Sequence, residues 1–231
     1  MEHTIEFSRT KKIGSSTFYM CENNRYFRKE KQGEEDLLKK EYENLLEVHG
    51  STGIEGMRFI EPVEFSQGGL VSKYVDAESL IEKPLPHLYK AFGRVLREFH
   101  NSGYTHSHLQ FNDVLYDGSE FYLTDLPYLN ERDAIQDIVI PKIGLDSFKI
   151  KQPWRWKLYS RCFTEFLEGY GCIKHPNLQR AYDEVFRSKI SNMTAVNTGW
   201  ESRLKAHTLV TARRVGLIGP PSPSELECSS F

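Results

Sequence analysis

The sequence predicts an α+β fold in which a strand-rich amino-terminal part with one helix precedes a helix-rich carboxy-terminal part. Three observations predict it: apolar residues alternate in the first 30 residues, recur with a helical period from residue 36 and again from residue 84, and form two short runs near residues 114–123. A chain of 231 residues is expected to form one domain, or one domain of two small lobes, with a sizeable core.

The amino-terminal part begins with three predicted antiparallel strands separated by turn-forming residues. They cover residues 5–7, 18–20 and 26–29. From Asp36 the apolar residues follow a helical stripe, which ends at the glycine stop of His49-Gly50. A strand hairpin is predicted next, with Met57–Phe65 and Leu70–Val75 joined across Gln67-Gly68-Gly69.

The carboxy-terminal part opens with the clearest helical pattern in the chain. Pro84 and Pro86 precede apolar residues that share one helix face up to Phe99. Two short strands, 114–116 and 121–123, follow with a turn at Asp117-Gly118. Helices are predicted over 154–170 and 178–189, and the proline- and serine-rich residues 216–231 predict a loose tail.

Composition excludes several classes of protein. The four cysteines show neither CxxC nor zinc-finger spacing, which argues against a structural metal or a disulfide scaffold and favours a reducing compartment. The first ten residues hold no apolar run, and no stretch approaches 18 apolar residues, so we expect a cytoplasmic protein without a transmembrane segment. A net charge of −2 makes nucleic acid an unlikely partner for the whole chain.

Four local features lie in a fixed order along the chain. The first is the small-residue turn Gly14-Ser15-Ser16-Thr17, whose N–H groups could approach a phosphate. The second is Lys29 at a strand end with Glu41 on the following helix. The third is the run from His106 to Leu115, and the fourth is Leu123-Thr124-Asp125-Leu126-Pro127. Each is weak alone, because hairpin turns and solvated charges are common, and only the combination is specific.

The combination resembles the protein-kinase-like superfamily, most closely aminoglycoside phosphotransferase-like enzymes, lipopolysaccharide core sugar kinases and small atypical protein kinases. Their catalytic segment commonly reads His-Gly-Asp-Leu-x-x-x-Asn followed by two hydrophobic residues, with a metal-binding Asp beyond a β-hairpin. The spacing from His106 to Asp125 matches, and Phe99-His100 before Gly103 is similar to the family's helix end. The resemblance covers residues 10–130, and more loosely 166–170.

The resemblance implies a two-lobed kinase-like fold with an ATP-type cleft between residues near 14–75 and 106–127. Gly14, Ser15 and Ser16 would cover the nucleotide phosphates, and Lys29 would contact them while paired with Glu41. Backbone groups from Lys73 to Val75 would meet the adenine. Asp125 would bind Mg²⁺, and Asp113 stands where the second metal ligand, an Asn, normally lies. The implied lobes are residues 1–75 and 76–215, with 216–231 as the tail.

The departures from the family pattern concern the reaction itself. His108 stands at the position of the catalytic Asp, Ser107 at that of the Gly, and the metal motif reads Asp-Leu-Pro rather than Asp-Phe-Gly. An imidazole can accept a proton near neutral pH, so His108 could still act as a general base. The alternative is a pseudokinase that binds a nucleotide or a partner protein without turnover.

The acceptor implied by the resemblance is the hydroxyl of a sugar or another small molecule. Fewer than thirty residues separate Asp125 from Trp154, with no Ala-Pro-Glu-like segment, which argues against a kinase that acts on peptides. A third interpretation is an interaction module that uses the basic residues of 203–214 to bind a phosphate-rich partner, although such a run is more often a solvated helix face.

Overall fold

The computed structural model of the chain describes residues 7–13, 16–21, 25–51, 53–171, 178–195, 200–214 and 217–220. The chain divides into two compact units. The first unit comprises Met1–Ser79 and Asp113–Leu129, and the second comprises Leu80–Asn112 and Asn130–Phe231. Contacts therefore group the hairpin near residues 114–123 with the amino-terminal strands. The division into lobes at 1–75 and 76–215 stays a prediction, as does the loose tail, most of which lies outside the described residues.

The first unit is built on an antiparallel five-stranded sheet with one helix. Its strands, in spatial order, are β1 (Phe7–Ile13), β2 (Ser16–Cys21), β3 (Tyr26–Lys31), β6 (Gly69–Lys73) and β5 (Pro62–Ser66). Helix α1 (Glu35–Ser51) packs on strands of this sheet. Leu38, Leu45 and Val48 are buried at helical spacing, because the predicted apolar stripe faces the sheet. The second and third predicted strands and the first helix are thus present, whereas β1 overlaps the strand predicted over residues 5–7 only at Phe7, and residues 5 and 6 lie outside the described part of the chain.

A second sheet of the first unit has four short strands. Their order is β4 (Met57–Phe59), β9 (Phe121–Leu123), β8 (Val114–Tyr116) and β7 (Glu78–Ser79). Strands β8 and β9 are antiparallel, as predicted, whereas β4 runs parallel to β9. The prediction of one strand over Met57–Phe65 was wrong, because the segment contributes β4 to one sheet and β5 to the other. Local alternation does not reveal that the partner of β4 lies more than 60 residues further along the chain.

The second unit is helical. It contains α2 (Pro86–Asn101), α3 (Gln136–Lys151), a 3₁₀ turn (Pro153–Arg155), α4 (Trp156–Tyr170), α5 (Leu178–Ala195) and α6 (Trp200–Arg214). The predicted helices correspond to α2, α4 and α5. Among the described residues, no helix has the length and apolar character needed to cross a membrane.

No amphipathic period in the sequence predicts helix α3. Ten of its 16 residues are buried, among them Asp137, Lys142 and Asp146, so the helix has no polar face that would produce an amphipathic period. Pro141 also lies inside it, and proline is a residue that normally marks a helix boundary. The helix therefore exists because tertiary packing surrounds it, not because of its local pattern.

Helices α2 and α4 approach each other closely at two glycines. A Cβ atom placed on Gly93 would collide with the carbonyl oxygen of Phe166, and one on Gly169 would collide with that of Lys90. Phe92 and Phe166 stack beside this contact with ring centroids 6.0 Å apart. The close approach fixes the two central helices of the second unit against each other.

Candidate functional site

Lys29, Glu41 and Asp125 form a charged cluster in the first unit. The Nζ atom of Lys29 lies 2.7 Å from Oε2 and 3.0 Å from Oε1 of Glu41, and 2.6 Å from Oδ1 of Asp125. Lys29 and Glu41 are 6% and 4% exposed, whereas the side chain of Asp125 is one-third exposed. Of the three charged side chains, that of Asp125 is therefore the most exposed to solvent.

Regular elements hold the two buried members of the cluster. Lys29 lies in β3, where it pairs with Phe18 of β2 and Leu70 of β6, so its backbone is fixed on both sides. Glu41 lies three residues after Leu38 and four before Leu45, on the face of α1 that packs on the sheet. The pair predicted from the sequence thus forms, and the structure adds Asp125 as its third member.

Burial and charge shift the pKa values of the buried pair in a defined way. Burial lowers the pKa of Lys29, but the carboxylates of Glu41 and Asp125 outweigh it and hold the pKa above its ordinary value. Burial raises the pKa of Glu41, and Lys29 partly offsets this increase. Lys29 is therefore a permanent cation, and with two carboxylates the fully ionised cluster has a net charge of −1.

The Asp-Leu-Pro segment is held by contacts on both sides of Asp125. The amide of Asn44 on α1 donates to the carbonyl oxygen of Leu126 at 2.6 Å. Asp125 itself has φ of +60°, a left-handed conformation that costs a non-glycine residue roughly 1–2 kcal/mol. Such strain persists only where the surroundings impose it. Asn44, one helical turn after Glu41, is a site residue that the sequence reasoning missed; the i, i+3 spacing on α1 was the available signal.

Asp113 lies beside Asp125 in the backbone register of the hairpin. Val114 pairs with Leu123, and Thr124 donates to the carbonyl oxygen of Asp113 from its N–H at 2.9 Å and its hydroxyl at 3.1 Å. Asp113 is buried, at 9% exposure. The two predicted metal ligands thus flank the same end of the β8–β9 pair. Within the described part of the chain, no group of three or more His, Cys, Asp or Glu side chains could hold a metal ion.

The predicted catalytic segment His106–Ser107–His108 belongs to the second unit. His106 is buried, and its backbone N–H donates to Oδ2 of Asp137 at 2.7 Å. Ser107 has φ of +67°, which agrees with the glycine that the family pattern places there. Its hydroxyl accepts the N–H of Arg132 at 2.9 Å. His108 is half-buried.

Asp137 accepts a hydrogen bond from this segment, and it was not predicted from the sequence as a site residue. It is fully buried at the start of α3, and besides the N–H of His106 its Oδ2 atom accepts from Nε2 of His100 at 3.1 Å. The other ring nitrogen, Nδ1 of His100, lies 2.6 Å from the hydroxyl of Tyr170, whose pKa burial raises to about 12. His100 was noted in the sequence, but Asp137 stands in the apolar run of α3, where nothing local marks it.

The remaining predicted residues lie at the sheet. Gly14 and Ser15 fall outside the described residues, while Ser16 is the buried first residue of β2. Lys73 ends β6, with its N–H bonded to the carbonyl oxygen of Glu61 at 2.9 Å and its Nζ 2.6 Å from the carboxylate of Glu61. Val75 follows outside the strand and is half-buried.

No family model matches the sequence, and no curated protein sequence matches it either. Solved structures do match. The structure of the gentamicin complex of APH(2'')-IIa has a TM-score of 0.60 at 12% identity and covers 89% of this chain and 90% of that chain. The streptomycin–ATP complex of the same enzyme gives 0.57 at 11%, over 89% and 91% of the two chains. Spectinomycin phosphotransferase APH(9)-Ia with ADP and spectinomycin gives 0.55 at 14%, over 93% and 89%.

These structures are aminoglycoside phosphotransferases, and the chain has their protein-kinase-like fold. The predicted α+β fold class and the resemblance to the small-molecule branches of that superfamily are thereby confirmed at the level of the fold. At such low identity the likeness concerns the fold, and function has to be argued from the residues of this chain.

Proposed function

We propose that this protein is a kinase-like phosphotransferase that takes the terminal phosphoryl group of ATP, with Mg²⁺, to the hydroxyl of a sugar or another small molecule. The structural neighbours bind ATP or ADP together with aminoglycosides or spectinomycin, which favours a small acceptor. We further propose that the protein acts in the cytoplasm, where ATP is abundant.

The observation that carries the proposal is the position of Lys29 between Glu41 and Asp125. Burying a lysine is costly unless it is paired, and a purely structural pair would need only Glu41. The partly exposed Asp125 leaves the ammonium next to a face where phosphate oxygens can replace or join the carboxylate. A fixed cation supported by a buried glutamate orients phosphates in kinases generally.

The donor set of Asp113 and Asp125 fits Mg²⁺. Mg²⁺ is usually held by one or two carboxylates, with waters and substrate phosphates completing six oxygen ligands. Asp113 and Asp125 would supply two carboxylates. The net negative charge of the cluster that contains Asp125 favours the binding of a cation. When bound, Mg²⁺ would neutralise charge on the phosphate oxygens of the nucleotide.

The adenine ring would form hydrogen bonds with backbone groups just after β6. The N–H groups of Lys73 and Tyr74 already donate to the carbonyl oxygens of Glu61 and Arg25. The backbone of Val75 is therefore the first point at which an adenine edge can find both a donor and an acceptor. Ser16 would lie under the phosphates, together with Gly14 and Ser15.

His108 takes the role of proton acceptor in this proposal. The acceptor hydroxyl loses its proton as its oxygen bonds to phosphorus and the bond to the leaving ADP oxygen breaks. A neutral imidazole can take that proton, and general-base help of this kind contributes roughly 10²–10⁴ in rate. Asp137 positions the segment by holding the N–H of His106.

The second candidate is a pseudokinase that binds nucleotide and regulates a partner. One observation favours it: a histidine, His108, and not a carboxylate, stands at the catalytic position of the family pattern. The interaction module built on residues 203–214 gains less support, because Arg213 pairs with Asp183 and its guanidinium lies over the ring of Phe186, with 4.6 Å to the ring centroid.

Isothermal titration with ATP tests the donor site. We expect Mg²⁺-dependent binding that Lys29→Ala and Asp125→Asn each weaken roughly tenfold or more, because each removes a charge-assisted contact. Lys39→Ala and Asp117→Asn are the matched controls, an exposed lysine of α1 and a carboxylate of the same hairpin. If folded wild-type protein does not bind ATP, the phosphotransferase and the nucleotide-binding pseudokinase are both excluded.

Turnover separates the two candidates. We expect ATP-dependent phosphorylation in a screen of amino sugars and other sugars, with a rate that falls at least 100-fold in His108→Ala. A wild type without turnover, together with activity in His108→Asp, would show that the enzyme has lost its base and would favour the pseudokinase.

A further inference from the structure

A basic and aromatic surface lies in the second unit, at the junction of α3 and α4. The chain there reads Lys149-Ile150-Lys151-Gln152-Pro153-Trp154-Arg155-Trp156-Lys157. From Ser147 to Thr164 there are five basic residues and no acidic one, in a chain whose total charge is −2. We name the set Lys151, Trp154, Arg155 and Lys157 the basic corner.

Trp154 is the most exposed large apolar side chain of the described residues, at 77%. It lies in the 3₁₀ turn Pro153–Arg155, of which no residue is buried. Single exposed apolar residues are ordinary, but an indole presented at a helix junction and surrounded by cations is a different arrangement. The exposure of the whole turn leaves the indole open to an external partner.

The cations of the basic corner are not neutralised by the protein. Among the described residues, no carboxylate pairs with Lys151, Arg155 or Lys157, all of which are exposed. The Nζ atom of Lys151 lies 5.0 Å from the ring centroid of Phe148, a cation–π contact that holds the ammonium group without cancelling its charge. Arg161, 72% exposed, lies one turn further along α4, but its guanidinium is 3.9 Å from the carboxylate of Glu165, so it is not counted with the basic corner.

The carboxylate of Asp146, which lies on α3, is already paired with two lysines. Asp146 is fully buried and accepts from Lys142 at 2.8 Å and from Lys149 at 3.2 Å. Two ammonium groups thus share the carboxylate of Asp146. On α5, burial lowers the pKa of Lys189, and the charge of Lys151 lowers it further, so the positive potential is felt by a neighbouring element.

We propose that the basic corner docks the protein on an anionic lipid surface, with Trp154 inserted at the headgroup level and Lys151, Arg155 and Lys157 facing the lipid phosphates. An amphipathic indole prefers the membrane interface, and each Lys or Arg near an anionic surface adds roughly a factor of five to binding. Single-stranded nucleic acid is less well matched, because aromatic side chains that stack on bases usually line a groove. The proposal does not depend on ATP binding.

Sedimentation with vesicles tests the proposal on the full-length protein. We expect binding to vesicles of phosphatidylcholine with 30% phosphatidylglycerol and none to phosphatidylcholine alone. Reversing the three cations of the corner to Glu should weaken binding about 100-fold. Trp154→Ala should weaken it about tenfold through the loss of buried indole surface. The matched control reverses Lys39, Arg94 and Lys205, three exposed cations elsewhere, and should retain binding after correction for net charge.

Fluorescence identifies the contact directly. Emission from Trp154 should shift to the blue when anionic vesicles are added, and the shift should vanish in Trp154→Phe, which keeps Trp156 and Trp200. Absence of vesicle binding, or equal loss in the control and the corner variants, would overturn the proposal. Tighter binding of a 20-nucleotide poly-uridine than of vesicles, sensitive to the same substitutions, would also overturn it and would assign the corner to nucleic acid.

Discussion

Lys29 and Asp125 are 96 residues apart in the sequence, yet the ammonium of one lies 2.6 Å from the carboxylate of the other. The contact joins the middle of the large sheet to the segment that follows the β8–β9 hairpin, and Asn44 ties the same segment to α1. The charged cluster is therefore a structural link of the first unit as well as the candidate donor site.

Removal of the shared cation should destabilise the protein. Lys29→Ala leaves the buried Glu41 carboxylate without its partner, and we expect a loss of about 3 kcal/mol in the free energy of unfolding at pH 7. Burial already raises the pKa of Glu41, and a carboxyl whose pKa is higher in the folded state favours folding most at low pH. The loss should thus be smaller at pH 5, as measured by urea denaturation. Lys39→Ala, on the exposed face of α1, should change stability by less than about 0.5 kcal/mol.

A methyl group added at either glycine of the contact between α2 and α4 should destabilise the protein. We expect Gly93→Ala and Gly169→Ala each to cost roughly 3 kcal/mol or more, because the new Cβ meets a backbone carbonyl that cannot rotate away. Gly144→Ala in α3 is the control: a Cβ there has no atom within 4 Å, and alanine is the better helix former, so it should be neutral or stabilising. Thermal unfolding of the three variants gives the comparison. Equal effects in all three would contradict the close approach.

Asp137 and His100 should be energetically coupled. We expect Asp137→Ala to cost about 3 kcal/mol, since it leaves the N–H of His106 and the ring of His100 without their acceptor. His100→Ala should cost less. In the double variant the losses should be non-additive by about 1–2 kcal/mol. Strict additivity in urea unfolding would show that the two residues act independently.

Asp117, in the turn between β8 and β9, should make the free energy of unfolding fall as the pH becomes acidic. Backbone N–H groups of Glu120 and Ser119 lower the pKa of Asp117 to about 2. Because the folded pKa is depressed, the stabilisation is complete above the ordinary value near 4 and is lost as pH falls from there towards 2. A carbon-detected NMR titration of the Asp117 carboxyl should show a midpoint near 2. Asp117→Asn retains an acceptor and should lose this pH dependence, whereas Asp117→Ala should also lose about 1 kcal/mol at pH 7.

Local patterns were sufficient for the elements that have one polar and one apolar face. Strands β2, β3, β8 and β9 and helices α1 and α2 were predicted from alternation or helical period, and helices α1 and α2 bury the predicted apolar face. The pair of Lys29 and Glu41 was implied by the resemblance to the kinase-like pattern, since charged residues at these two places alone would more often be solvated. Asn44 was missed although it lies three residues after Glu41 on α1, because that spacing does not identify its partner Leu126, 82 residues away.

Local sequence patterns were enough to predict a strand-rich part followed by a helix-rich part, and the resemblance to the kinase-like pattern located the charged residues and the histidine, His108, at the place of an aspartate. The tertiary structure decided what depends on distant partners: the parallel pairing of β4 with β9, the existence of α3, and the role of Asp137 at its start. The physical reason is the same in each case. A strand inserted beside a remote partner and a helix buried on all sides take their stability from contacts that are separated in sequence, so no periodic pattern within the segment records them.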